Sequence, residues 1–125
     1  MLEWSSDIFL GEGMEDRSGK VIRMLNAGKA PHMTWLITKS SNGVDQLEIM
    51  DALYLKQPAV RKRLPEIIGL AISKAEAVKM IHKITEACVD ARGDAFLTEF
   101  LETSPPVKGM KKISVADYLP RERKA

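Results

Sequence analysis

The sequence predicts an α/β fold: a single domain of order (β)αβαβαβ, with a mainly parallel sheet of 3–4 strands and three main helices. Two observations carry this. Short β-branched or aromatic runs alternate with segments whose apolar residues recur at three and four. One run, Glu66-Ile67-Ile68-Gly69-Leu70-Ala71-Ile72, is apolar almost throughout, as in a parallel strand covered on both faces.

The elements follow in order. Ile8-Phe9-Leu10 is a short strand or an extended lead-in before Gly11-Glu12-Gly13. Met14, Val21, Ile22 and Leu25 predict a helix over about 14–27, stopped at Asn26-Ala27-Gly28 with Pro31 beyond. Met33-Thr34-Trp35-Leu36-Ile37-Thr38 reads as a buried strand, and Ser40-Ser41-Asn42-Gly43 as a loop. Val44, Leu47, Met50, Leu53 and Tyr54 then suggest a second amphipathic helix, interrupted at Pro58.

After the apolar run, Ser73-Lys74-Ala75-Glu76 is a capping box. The serine hydroxyl can accept from the Glu76 amide while the Glu76 carboxylate reaches back. The long helix it opens puts Val78, Ile81, Ile84, Thr85, Cys88 and Val89 inward and ends at Arg92-Gly93. Ala95–Leu101 reads as an edge strand, with a helical turn as the alternative.

Composition bounds the class. The chain has 125 residues, 45% apolar and 29% charged, with one cysteine. One domain of that length buries enough surface to stand without staples, and one cysteine excludes an intramolecular disulfide. No apolar run reaches the ~20 residues of a membrane span. The acidic start, Met1 to Asp7, does not read as a secretory signal, so the expected location is cytoplasmic, with no membrane contact.

The formal charge of +2 is unevenly placed. Residues 1–107 hold 13 basic and 15 acidic side chains, a net −2; residues 108–125 hold six and two, a net +4. Pro105-Pro106 marks the junction, dividing an α/β domain at 1–104 from a basic tail at 105–125. Nucleic acid is therefore expected only through Lys108, Lys111, Lys112, Arg121, Arg123 and Lys124. Ile113–Leu119 is apolar enough to dock on the body or on a second copy.

Phe9-Leu10-Gly11-Glu12-Gly13-Met14, Val44-Asp45-Gln46-Leu47-Glu48-Ile49, and Ile67-Ile68-Gly69-Leu70-Ala71 followed by Glu76-Ala77-Val78 resemble an uncharacterised family of short clostridial proteins. The likeness covers about residues 8–101. It implies a small α/β fold of unknown function and carries over no catalytic residue. Ser18-Gly19 departs from its charged first helix, and the basic tail falls outside it.

Chemistry is sparse. Gly13–Val21 has five residues between its glycines where a phosphate loop has four, and Val21 stands where that loop needs a hydroxyl. His32 and His82 stand ~50 residues apart, and His82 with Glu86 makes an ordinary helix-surface pair. Cys88 lies on an apolar stripe and behaves as a small hydrophobe. No catalytic residue, metal site or cofactor is assigned.

The remaining candidate is the carboxyl edge of the sheet, where open α/β sheets bind ligands. Lys39, Ser40, Ser41 and Asn42 leave one strand there, and Ser73 and Lys74 leave another. Hydroxyls, an amide and two lysines at helix starts suit a phosphate or carboxylate, provided the two loops converge. Capping of their own helices by Asn42 and Ser73 is the plainer account. The leading functional reading is a non-enzymatic partner-binding or regulatory domain, expected as a homo-oligomer or bound to a protein partner. The alternative is a small-anion or nucleotide-binding protein, an enzyme included, that uses those loops.

Overall fold

A computed structural model describes residues 2–40, 46–103 and 105–118. The apolar run forms the strand at the middle of the sheet. We label the strands β1 (Trp4–Leu10), β2 (Trp35–Lys39), β3 (Leu47–Asp51), β4 (Ile67–Ala71) and β5 (Lys111–Ser114). The helices are α1 (Ser18–Asn26), α2 (Pro58–Arg63), α3 (Lys74–Arg92) and α4 (Leu97–Glu102). The strand order is β3-β2-β4-β1-β5.

Every residue of β4 is buried, because helices cover both faces of the sheet. Ile8, Leu10, Leu36, Ile67 and Leu70 meet Val21, Ile22 and Leu25 of α1 on one face. Phe9, Ile37, Ile68 and Ala71 meet Ala77, Met80, Ile84 and Cys88 of α3 on the other, with Leu97 and Phe100 of α4. A bulge places Ile68 between the Thr38–Ile67 and Ile37–Gly69 pairs. A Cβ at Gly69 would come within 3.3 Å of Ile37 and 3.4 Å of Met80, so α3 packs directly over that glycine.

The sheet corrects the expected fold class. It has five strands and is mixed, and four helices pack on it instead of three. Only β1 and β4 run parallel; β1–β5, β2–β3 and β2–β4 are all antiparallel. Three local readings account for the difference. The segment read as a helix from Val44 to Tyr54 is, from Leu47, the strand β3 followed by a 3-10 turn over Ala52–Lys56. With no helix between β2 and β3, the chain returns directly beside β2 instead of crossing over. Ala95–Leu101 is not an edge strand: Leu97 and Phe100, three residues apart, are buried along one side of α4.

The sheet's edge on that side is β5, drawn from the basic segment after Pro106. Lys111 and Lys112 are strand residues, and Val115 is buried in the α1-side core. Arg121, Arg123 and Lys124 lie outside the described residues.

The long helix keeps its sequence signals at both ends. Ser73 caps α3, and Gly93 ends it with a φ of 76°. Its buried side is Ala77, Met80, Ile84 and Cys88, while Val78 and Val89, expected inward, face out. Lysine stems and small residues let this stripe sit one position round from the predicted one.

Candidate functional site

The structure does not bring the two predicted loops together. Lys39 ends β2 and pairs with Glu66 at the start of β4: its N–H donates to Glu66 O at 3.0 Å, and Nζ lies 3.1 Å from the Glu66 carboxylate. Ser40 Oγ donates to Glu48 at 3.4 Å. Ser73 and Lys74 lie past the far end of β4, roughly 20 Å from Glu66 at ~3.3 Å per residue. Ser73 Oγ accepts from the Glu76 amide at 3.1 Å, and Lys74 is exposed. Ser41 and Asn42 lie outside the described residues. Because β2 runs against β4, their carboxyl ends open on opposite sides of the molecule.

The carboxyl ends that do lie together belong to the parallel pair β1 and β4. There the Glu76 carboxylate accepts from the Gly13 amide at 3.0 Å and the Ile72 amide at 3.1 Å. A Cβ on Gly11 would sit 1.9 Å from the same carboxylate, so Gly11 is the residue that admits it. Amides that would meet a ligand's anion in other α/β sheets thus hold this chain's own carboxylate. The cleft outside them, about 480 Å³, sets Glu12 and Glu15 against Lys79, Lys83 and Lys111. Neither sign of charge prevails there.

The free edge of the sheet at β3 has a different character. Ser40 N–H donates to Gln46 O at 3.3 Å, and Ala52 N–H donates to Thr34 O at 2.9 Å. Backbone groups alternate in an antiparallel ladder. Residues 46, 48, 50 and 52 therefore face β2, and the N–H and C=O of Leu47 and Ile49 point outward. Among the described residues no strand lies beyond them. Gln46 anchors the start of the strand, donating to Ala95 O at 2.7 Å and accepting from the Leu97 amide.

Both flanks of this edge are apolar. On the α2 side a cleft of about 360 Å³ lies over Met50, walled by Val60 and Leu64, with Arg63 among its lining residues. On the α3 side Trp35, Leu47 and Ile49 pack against the core and stay half-buried. The opposite edge, β5, carries Lys111 and Lys112, which discourage strand addition. β3 has no lysine, proline or bulge. The sequence signal for it was the alternation Leu47, Glu48, Ile49, Met50, which the three-and-four spacing from Val44 masked.

The reactive groups elsewhere are committed to structure. Cys88 is fully buried; its Sγ donates to Asp94 O at 3.3 Å, and burial, reinforced by Asp94, pushes its pKa up, away from a nucleophilic thiolate. Lys112 donates to Pro105 O at 3.1 Å and lies 5.4 Å from the Phe9 ring; burial holds its pKa below the ordinary 10.5. His32 and His82 are exposed. Among the described residues no group of three or more His, Cys, Asp or Glu could hold a metal, and no helix is long and apolar enough to cross a membrane. No family model, curated protein or solved structure matches the chain.

Proposed function

We propose that the protein is a partner-binding domain that takes its partner along the outer edge of β3. The observation that supports this is an unguarded edge strand beside an apolar cleft: outward backbone groups at Leu47 and Ile49, with Met50, Val60 and Leu64 adjoining. Strand addition uses both features. The backbone ladder supplies affinity, and a pocket beside it selects alternate side chains. The committed state of Glu76 and Cys88 points the same way, since each is engaged inside the fold.

The test is residue-resolved amide exchange on the full chain, diluted until light scattering reports a monomer. The Leu47 and Ile49 amides should then exchange about 100-fold faster than those of Glu48 and Met50, which bond β2. Equal protection of all four in the monomer means the edge is already occupied, and the reading is lost.

A further inference from the structure

We infer that the occupant of the β3 edge is a second copy of this chain, joined in a two-fold antiparallel pair centred on Ile49. This rests on the reading of β3 as the docking edge and adds the identity and register of what docks.

The argument starts from phase. A two-fold pair that exchanges backbone hydrogen bonds must be centred on a residue whose N–H and C=O point outward, which limits it to Leu47, Ile49 or Asp51. Centring on Leu47 runs the pair past Gln46, whose side chain is occupied by Ala95 and Leu97. Centring on Asp51 runs it into the 3-10 turn at Ala52–Lys56. Centring on Ile49 uses all of Leu47–Asp51. It sets Ile49 against Ile49 and Leu47 against Asp51.

Charge agrees with this register. The Glu48 of one copy falls opposite Met50 of the other, on the α2 face, so the two Glu48 carboxylates are never directly opposed. Met50 lies in the cleft that Arg63 also lines. Each copy thus offers a carboxylate to the other copy's apolar cleft with its guanidinium, and symmetry makes the contact twice. The other possible self-pairing, β3 against β5, would be head-to-tail and would not close, and it would meet the lysines of β5.

The test uses the full chain with Ile49→Cys and, separately, Leu47→Cys. Cys88 is fully buried, so each variant adds the one accessible thiol among the described residues. In the proposed register the two Ile49 Cα atoms stand about 5.5 Å apart, within disulfide reach, whereas two Leu47 are four residues out of step, about 14 Å. Under a glutathione redox buffer Ile49→Cys should form a covalent dimer and Leu47→Cys should not. Light scattering of the unsubstituted chain should rise from 13.9 kDa toward twice that mass with concentration. Arg63→Glu should weaken the dimer about tenfold or more, and adding Glu48→Lys should restore it.

Equal cross-linking of both cysteine variants overturns the register. Growth beyond two copies overturns the closed pair. A chain that stays at one mass, with no cross-link from Ile49→Cys, removes the second copy as occupant. If the Leu47 and Ile49 amides still exchange fast in that monomer, the edge reading survives without it.

Discussion

The carboxylate of Glu76, on the first turn of α3, holds the amide of Gly13 at 3.0 Å, 63 residues earlier in the chain. The same group accepts from Ile72 at 3.1 Å, so one side chain ties together the exits of both parallel strands. Ser73 completes the cap from the other side.

Glu76→Ala should therefore destabilise the fold by about 1–2 kcal/mol, by leaving two strand-end amides without their acceptor. Gly11→Ala should cost a similar amount, because its new methyl displaces the same carboxylate. The double variant should cost less than the two effects added, since both remove one set of bonds. Urea unfolding followed by Trp4 and Trp35 fluorescence reads all three; strict additivity would separate Gly11 from Glu76.

Arg61 closes the C-terminal end of α1. Its Nη1 donates to Leu25 O at 2.7 Å, Nη2 to Lys29 O at 2.7 Å, and Nε to Leu55 O at 3.3 Å. Arg61→Ala should lower stability by about 2 kcal/mol. Arg61→Lys should recover less than half of that, because an ammonium cannot reproduce the planar fork. A lysine variant as stable as the parent would show that charge alone matters there.

Asp94 links α3 to α4. Arg92 bonds its carboxylate, and the Phe96 amide adds a second bond, so its pKa lies below the ordinary 3.8. A depressed carboxylate stabilises the fold above the unfolded value and ceases to as pH falls through the folded one. Melting temperature should drop between pH 4 and more acid conditions, and Asp94→Asn should flatten that part of the curve. An unchanged acid limb in Asp94→Asn would assign the loss to other carboxylates.

Cys88 should react with an aromatic disulfide reagent only as fast as the chain opens. It is fully buried and its thiol is held protonated. Modification should accelerate steeply with urea, in step with the unfolding transition. Fast stoichiometric labelling without denaturant would mean that α3 lifts from the sheet locally.

Much of the molecule was readable residue by residue. Ile67–Ala71 is buried on both faces, as its apolar run implied. Ser73 and Glu76 begin α3 and Gly93 ends it, because caps are local chemistry. The spacing of Val21, Ile22 and Leu25 marked α1, although the helix starts at Ser18 after a 3-10 turn at Glu12–Met14. Leu47–Asp51 was misread because its five residues fit either period. An edge strand is half-buried along its length, so the alternation that betrays a strand is weak. The candidate site went with it: Lys39, Ser40, Ser73 and Lys74 were grouped on a strand direction that no local signal carries.

The sequence by itself determined which segments are buried, where the long helix begins and stops, and that helices cover strands on both sides. Those features follow from hydrophobic spacing and from side chains bonding backbone a few residues away. Only the tertiary structure decided that β2 opposes β4, that β3 and β5 become the two edges, and that Glu76 reaches Gly13. Such choices depend on which distant segments exchange backbone hydrogen bonds, and the same apolar faces can be buried with a strand running either way.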